Sequence, residues 1–180
     1  MPYDNVTLRP VAESELGTLE ELVQNPEAVG TFQWFGWTDP GSWRRRWAEN
    51  RLLGDDRGQL AVAAGGEFHG FVGWRRVDVV PRSYYWSMGI QLLPGSRGRG
   101  IGTRAQILLV DYLFAYSPVA RVEADTETEN FAEQRALEKA GFTQEGVLRN
   151  VVFRDGQWRD SIRYSVLRDE AAARRTSAES

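Results

Sequence analysis

The chain has 180 residues with a formal net charge of −3, and 42% of its residues are hydrophobic, a composition typical of one globular domain with a buried core. It contains no cysteine and one histidine, His69. This excludes disulfides, a thiol nucleophile and cysteine-bound metals, and it leaves too few ligands for a histidine-based zinc site. The small acidic charge gives no support for a broad nucleic-acid-binding surface. We therefore expect neither a metal nor a nucleic-acid partner.

Targeting and membrane segments are not evident in the sequence. No stretch approaches the roughly 18–20 consecutive apolar residues that a membrane-spanning helix needs. The first residues lack the basic region and the apolar run of a signal peptide. We therefore expect a cytoplasmic protein without a membrane partner.

Hydrophobic spacing in the first half of the chain predicts a strand, two helices and then three strands. Leucines at helical spacing predict the first helix, and Gly65-Gly66 separates two apolar runs as a hairpin turn does. Strict alternation then predicts a strand with one buried face. The predicted elements are a strand at 6–9, helices over 13–24 and 41–52, and strands at 60–64, 68–77 and 84–92.

The second half alternates helices with strands and closes on a hairpin. Gly141 stands where a helix end needs a left-handed residue, and Asp155-Gly156 predicts a tight turn between the last two strands. The predicted elements are helices over 99–116 and 130–140, a strand at 119–124, and strands around 151–153 and 162–166.

The resulting order, β-α-α-β-β-β-α-β-α-β-β, predicts an α/β domain in which helices cover a mixed sheet of about seven strands. We place a single domain over 1–168, because no linker or internal repeat divides the chain. Residues 169–180 are small, charged and aperiodic, which predicts a flexible C-terminal tail.

A glycine-rich turn at 92–103 joins a predicted strand to a predicted helix and is the most informative segment. Its glycines let the backbone approach a ligand closely, and the free N–H groups of the first helical turn point at an anion. Arg97 and Arg99 add positive charge. The turn therefore predicts a phosphate or pyrophosphate site.

Three phosphate-binding patterns compete at this turn. A P-loop has the right glycine spacing at Gly95 and Gly100, but Ile101 stands where its lysine is needed. A dinucleotide-binding fingerprint lacks its third glycine, although Glu123 lies at about the expected distance. The third pattern, Gln/Arg-x-x-Gly-x-Gly/Ala, is matched in full by 97–102.

That third pattern resembles the pyrophosphate-binding turn of the GCN5-related N-acetyltransferase (GNAT) superfamily. The Asn-led segment 128–142, which ends in Lys139-Ala140-Gly141-Phe142, is similar to the second signature of the family. The final hairpin, 158–165, looks like the RimJ/RimL-like branch. The resemblance covers 6–168 and implies the GNAT fold: a twisted, mixed, mostly antiparallel sheet of about seven strands flanked by about four helices.

The resemblance implies acetyl-CoA as the cofactor. Backbone amides of the turn would hold the pyrophosphate, and the preceding strand would pair with the pantetheine arm. Asn130 would contact the pantetheine, although Asn130 and Glu133 also match a capping box that needs no cofactor. The cofactor-binding residues implied are Ile90, Gln91, Leu92, Arg97, Gly98, Arg99, Gly100, Ile101, Gly102, Thr103 and Asn130.

The chemistry that the resemblance implies is direct attack of a neutral amine on a thioester, which benefits from a base. Two acid–base residues common in relatives are replaced here, the glutamate by Ser87 and the tyrosine by Leu137. Glu123, at the end of its strand, is the remaining candidate base, and Ser87 is a candidate for ordering a water. A solvated strand-end carboxylate is the alternative for Glu123, and His69 is expected to be a hydrogen-bonded structural residue.

The acceptor pocket of the superfamily is usually built where this chain has an aromatic segment. Trp34, Phe35 and Trp37 are candidate substrate-binding residues, because aromatic faces attract organic cations; aromatic residues in such number also suit a plain core. The acidic net charge favours a cationic acceptor.

The sequence therefore predicts an N-acetyltransferase that acts on a primary amine of a protein N-terminus, a small amine, an amino acid or an antibiotic. A catalytically impaired acyl-CoA-binding sensor domain is the alternative, and a dinucleotide-binding oxidoreductase comes third. The sequence leaves a homodimer open.

Overall fold

The protein is described by a computed structural model over residues 5–179. Within that range, seven strands form one sheet in the order β1-β2-β3-β4-β5-β7-β6. Every neighbouring pair is antiparallel except β4 and β5, which confirms the predicted mixed, mostly antiparallel sheet. The strands are β1 (Val6–Arg9), β2 (Arg57–Ala64), β3 (Glu67–Val80), β4 (Ser83–Leu92), β5 (Arg121–Glu127), β6 (Thr143–Arg154) and β7 (Gln157–Leu167).

Helices cover both faces of this sheet. The described residues contain six α-helices, two more than the sequence predicts, and short 3-10 turns at Glu13–Glu15 and Pro94–Ser96. None of these helices has the length and apolar character needed to cross a membrane. The helices are α1 (Leu16–Gln24), α2 (Pro26–Val29), α3 (Ser42–Asn50), α4 (Ile101–Tyr116), α5 (Phe131–Lys139) and α6 (Arg168–Glu179).

Two buried clusters hold the layers together. The larger packs Val62, Val72 and Tyr164 of the sheet against α4, where Leu109 and Val110 have no exposed surface. The smaller lies on the opposite face and includes Leu16, Leu19 and Trp43 together with Ala61 of β2. Alternate residues of each central strand therefore serve opposite layers, which is the period-two rule of a strand buried on both sides.

The turns follow the predicted glycine positions. Gly65 and Gly66 adopt φ of 60° and 84° between β2 and β3, and Asp155 and Gly156 adopt 51° and 74° between β6 and β7. These left-handed pairs are the geometry of a two-residue hairpin. Gly141, with φ of 90°, follows α5 as expected.

The C-terminal segment differs from the prediction. Residues 168–179 form α6 instead of a flexible tail. Ala171 is buried, and Arg174 donates to Asp111 of α4 (3.1 Å) and to the carbonyl of Ala140. Ala171 and the side chains of Arg168 and Arg174 anchor this helix, so the apolar periodicity that would have predicted it is absent. The other unpredicted helix, α2, is one turn long, and Asn25 caps it.

The sheet opens between its two parallel strands. β4 and β5 are paired only at Trp86–Val122 and Ser87–Glu123. Beyond these positions β4 remains paired only with β3, and β5 remains paired only with β7. The edges of 88–92 and 124–127 that face each other are therefore unpaired, and they border a cleft at the end of the sheet from which the glycine-rich turn departs.

Candidate functional site

The glycine-rich turn presents a row of free backbone donors at the start of α4. The helical ladder begins with the amide of Arg104, which donates to the carbonyl of Gly100 (3.1 Å). Among the described residues no acceptor is found for the backbone N–H groups of 98–103. Gly98 and Gly100 adopt φ of 70° and 77°, which only glycine adopts without strain. The turn therefore offers free donors where the sequence predicts an anion site, and anion binding stays a prediction.

A buried histidine anchors the start of this turn. His69 Nε2 lies 3.2 Å from the carbonyl of Ala64, so this nitrogen carries the proton and donates. Its Nδ1 lies 2.8 Å from the hydroxyl of Ser96, which therefore donates to it. His69 fixes the approach of the chain to the turn, in keeping with the structural role expected for it.

A first cavity, which we call the turn cavity, has a volume of about 510 Å³. It lies between the turn, one face of α5 along its whole length and the segment that follows α2. Arg135 and Lys139 of α5 supply positive charge to its lining, a contribution that the sequence analysis missed because helical positions alone do not show which face meets the turn. Its lining includes Ile90, Gln91, Leu92, Arg97, Gly98, Gly100, Gly102, Thr103, Asn130, Glu133, Arg135 and Lys139.

Arg97 and Ile101, two of the predicted cofactor residues, have side chains that make contacts elsewhere in the fold. The guanidinium of Arg97 donates to the carbonyls of Leu92 (3.1 Å), Val29 (3.2 Å) and Ala28, so it ties the end of α2 to β4, and its side chain is not free for a phosphate. Burial lowers the pKa of Arg97. Ile101 is buried in the core, while Arg99 is exposed and does not line the cavity.

Gln91 and Asn130 line the turn cavity with side chains that are already bonded. Gln91 is buried and donates to the carbonyl of Val29 (3.1 Å). Asn130 caps α5: its Oδ1 accepts from the amide of Glu133 (3.4 Å), and its Nδ2 donates to Thr126 (3.0 Å). Asn130 therefore caps α5. The second hydrogen bond of a capping box, from the Asn130 amide to the Glu133 side chain, is not formed, because Glu133 accepts from Gln106 instead.

Glu133 instead faces α4. Its Oε1 accepts from Nε2 of Gln106 (2.7 Å), whose Oε1 is buried without a hydrogen-bond partner. Burial raises the pKa of Glu133 to about 7, against a smaller lowering by the Gln106 hydrogen bond. The sequence analysis took Glu133 as a capping residue, and only the α4–α5 contact reveals a carboxyl group that holds a proton near neutral pH.

A second cavity, which we call the sheet cavity, has a volume of about 720 Å³. Its floor is the face of β2, β3 and β4 that lies under α1–α3. Gly73 and Gly89 are directly paired there, and a Cβ on Gly89 would meet nothing within 4 Å. The lining residues shared with the turn cavity are Val29, Gln33, Ile90 and Gln91, so the two cavities adjoin over β4.

The two candidate catalytic residues are neighbours across the β4–β5 pair. Ser87 lines the sheet cavity, whereas Glu123 is buried and lines neither cavity. Both carboxylate oxygens of Glu123 are in ion pairs, with Arg121 at 2.7 Å and with Arg163 at 3.3 Å. Tyr85 completes the group: burial, followed by a hydrogen bond to Glu123, raises its pKa. Glu123 is therefore not the solvated strand-end carboxylate that was the alternative.

The aromatic segment lies apart from both cavities. Trp34 and Trp37 contact each other edge to face at 5.0 Å, and Phe35 and Trp37 are 60% and 73% exposed. Trp43, by contrast, is buried against Phe71 in the smaller core. A role of Trp34, Phe35 and Trp37 in acceptor binding stays a prediction. In the described residues no group of three or more histidine or acidic side chains is placed to hold a metal ion.

A split mixed sheet with a glycine-rich turn at the start of α4 is the arrangement expected of the GNAT fold, and the comparisons agree. A spermidine N-acetyltransferase from Vibrio cholerae, solved with CoA and spermine, matches with a TM-score of 0.80 at 19% identity, covering 93% of this chain and 98% of that one. Residues 5–143 match the acetyltransferase (GNAT) domain family. The chain therefore belongs to the GNAT acetyltransferase family, as the sequence predicts.

Two Bacillus subtilis proteins are similar in sequence. The putative ribosomal N-acetyltransferase YdaF is 27% identical over 179 residues, with 93% of each chain covered; this agrees with the RimJ/RimL-like branch. The probable N-acetyltransferase YjcK is 41% identical over 73 residues, which span 41% of this chain and 40% of YjcK.

Proposed function

We propose that the protein transfers the acetyl group of acetyl-CoA to a primary amine in one step, without an acetylated enzyme intermediate. The observation that carries this proposal is the meeting of the turn cavity and the sheet cavity at Ile90 and Gln91. A donor held in one cavity and an acceptor held in the other would come together over Gly89. Transfer between two bound substrates needs this proximity.

The turn cavity suits CoA. Residues 98–103 offer backbone N–H groups without a protein acceptor, and the dipole of a 16-residue helix adds to the attraction for a pyrophosphate. Arg135 and Lys139 line the same cavity and add positive charge to that of Arg97, whose guanidinium is bonded to backbone carbonyls. The unpaired edge of β4 beyond Ser87 is free to bond an extended pantetheine chain as an added strand.

The reaction itself needs little covalent chemistry from the protein. An alkylammonium has a pKa near ~10 and must first lose a proton. Its nitrogen then attacks the thioester carbonyl carbon and a C–N bond forms. The nitrogen gives up a second proton, and the C–S bond breaks as the sulfur takes up a proton. Backbone N–H groups on the free edge of β4 are suitably placed to stabilise the charge that develops on the carbonyl oxygen.

Removal of the amine proton is assigned to Ser87 and Glu123 acting through water. Ser87 lines the sheet cavity and is paired with Glu123 on β5, so a water on Ser87 would pass the proton towards that carboxylate. The hydroxyl of Tyr85 is also hydrogen-bonded to Glu123. Glu123 would then receive the proton within the ion pairs that hold it in place.

One observation favours the second candidate, an acyl-CoA-binding sensor domain. Both oxygens of Glu123 are paired with arginines, and this carboxylate lines neither cavity. A chain with a cofactor site and a weak base would bind acyl-CoA and turn over slowly. Turnover against a panel of amines separates this domain from an enzyme.

The test is calorimetric titration with CoA and acetyl-CoA, with NADH as the control, followed by an assay of thiol release. Micromolar binding of CoA without binding of NADH supports the turn cavity as the cofactor site, and amine-dependent release of thiol supports transfer. Binding without release favours the sensor domain. Absence of CoA binding by the folded protein refutes both. Both the transferase and the sensor domain would use the acetyl-CoA of the cytoplasm, where we expect the protein to act.

A further inference from the structure

The sheet cavity is positively charged although the whole chain is acidic. Four arginines line it, and Asp56 is the one carboxylate in the lining. Arg76 is paired, with its Nε 2.8 Å from Asp78 and its Nη1 3.8 Å from Asp56. Among the described residues the other three arginines have no ion-pair partner. These three are Arg46, Arg57 and Arg75.

Two of these arginines stand in one row with the candidate catalytic residues. Arg57 of β2 is directly opposite Arg75 of β3, which is directly opposite Ser87 of β4. Strands lie about 4.8 Å apart, so the backbone positions of Arg75 and Arg57 are roughly 5 and 10 Å from that of Ser87. Like charges that face each other across strands are destabilising, and neither arginine is in an ion pair with a carboxylate of the described residues. Such an arrangement stabilises an anion that lies above it.

Arg46 reaches the same cavity from α3. Its Nη2 donates to Oε1 of Gln59, and its guanidinium lies over the ring of Trp43 at 5.1 Å. Both contacts are neutral and fix the orientation of the group without cancelling its charge. Its Nε is buried without a hydrogen-bond partner. Burial, followed by the like charge of Arg57, lowers the pKa of Arg46, which is the electrostatic mark of an uncompensated cation.

We propose that the acceptor of this enzyme is an amine that also carries a carboxylate, held by Arg46, Arg57 and Arg75. The inference rests on the proposed acetyl transfer and adds the chemical class of the acceptor. Arginine is suited to this task, because its planar donors match a carboxylate in pairs. The bare floor at Gly73 and Gly89, two residue pairs along from Arg75 and Ser87 on the same face of the sheet, leaves room for the amine beside the thioester.

This charge distribution argues against a polyamine acceptor. A polycation in the sheet cavity would face three arginines that lack ion-pair partners. The acidic net charge of the chain, which favours a cation in the sequence analysis, is a property of the whole surface and does not describe this cavity. The carboxylate could belong to a free amino acid or to an acidic side chain near a peptide N-terminus, and the chemistry of recognition is the same for both.

The first arm of the test compares acceptors that differ only in one carboxylate. Alanine is paired with alaninamide, the peptide Ala-Glu-Ala-amide with Ala-Gln-Ala-amide, and spermidine serves as the polycation. Thiol release gives kcat/KM for each. A charge-assisted hydrogen bond contributes about 1.5–3 kcal/mol, so at least one carboxylate member should exceed its amide by about tenfold or more. The pair that shows this difference identifies the source of the carboxylate.

The second arm uses variants and a matched control. Arg75→Gln and Arg46→Gln should each raise KM for the carboxylate acceptor by about tenfold while KM for acetyl-CoA and for the amide acceptor stays unchanged. Arg149 is exposed on β6 and lines neither cavity, so Arg149→Gln should change none of these values. Melting temperatures of all variants establish that the fold is intact, and Arg57→Gln replaces any variant that is unfolded.

The outcomes separate this proposal from the proposed transfer. Turnover with equal kcat/KM for carboxylate and amide, or with spermidine as the best acceptor, overturns the anionic acceptor and leaves acetyl transfer standing. If no amine is acetylated, titration of the same acceptors into the CoA-bound protein decides the question. Binding of the carboxylate member that Arg75→Gln abolishes supports the anion site without turnover, and equal binding of both members overturns it.

Discussion

We predict that the stability of the protein depends on pH through Glu133, by an amount that follows from the structure. This carboxyl group lies in the turn cavity against α4, and burial raises its pKa from 4.5 to about 7. The native state therefore holds a proton that the unfolded chain releases between pH 4.5 and about 7. The stability that Glu133 contributes is fully present below pH 4.5 and is lost as the pH rises through about 7.

The size of this effect follows from the shift. At 1.36 kcal/mol for each pKa unit, a rise from 4.5 to about 7 corresponds to at most about 3 kcal/mol of unfolding free energy. Because Glu133 retains some exposure, we expect about 1–3 kcal/mol. For a chain of this length, that is a change of roughly 2–10 °C in melting temperature.

The perturbation is Glu133→Gln, which keeps the shape and removes the titration. The new amide can also donate to the buried Oε1 of Gln106, which has no partner in the native pair. At pH 4.5 the variant and the native protein should melt at similar temperatures. At pH 8 the variant should melt higher by the amount given above, since the native carboxylate is then charged in a buried site.

The assay is thermal unfolding by circular dichroism at half-unit steps from pH 4.5 to 8.5, and the difference between the two proteins isolates Glu133. Glu21→Gln, on the exposed surface of α1, is the control and should retain the native pH dependence. Parallel melting profiles for Glu133→Gln and the native protein would refute the reasoning, because no proton would then be taken up at this position on folding.

Three further predictions test the cleft, the proton path and the buried ion pair. Gly89→Val should leave the melting temperature within about 2 °C, because a Cβ there meets nothing within 4 Å, yet it should raise KM for acetyl-CoA; an unchanged KM would place the acyl chain elsewhere. Glu123→Gln should lower kcat by about 10²-fold or more if this group accepts the proton, and an unchanged kcat in a stably folded variant would assign that step to solvent. Glu127 and Arg154 form a buried two-point ion pair at 2.9 and 2.7 Å, so Glu127→Gln should cost about 3–5 kcal/mol in urea unfolding; a cost below about 1 kcal/mol would contradict that assignment.

Features set by neighbouring residues were predictable from the sequence. The strand at 6–9 and the hairpin turns at Gly65-Gly66 and Asp155-Gly156 appear where predicted, because alternation and glycine pairs act within a few residues. The glycine-rich turn belongs to the same group. Its free N–H groups are a property of any helix start, and its glycines lie within six consecutive residues.

The roles of particular side chains were not predictable in this way. The sequence places Arg97 in a phosphate-binding pattern, but its guanidinium bonds carbonyls of 28–29, almost seventy positions earlier. Glu123 looks like a free base in the sequence and is enclosed by arginines of β5 and β7 in the fold. Helix α6 lacks an apolar pattern and is held by contacts with α4 and with the residue that follows α5.

The sequence alone therefore determined the architecture, the family and the position of the glycine-rich turn, because each depends on short-range periodicity and on a local motif. The tertiary structure alone decided the charge of the sheet cavity and the state of Glu133. Arg57, Arg75 and Ser87 are widely separated in the chain and meet only through strand register. Burial of Glu133 where α5 packs against α4 raises its pKa, and the hydrogen bond from Gln106 acts in the opposite direction. Both are effects of burial and cross-strand distance, which no stretch of sequence contains.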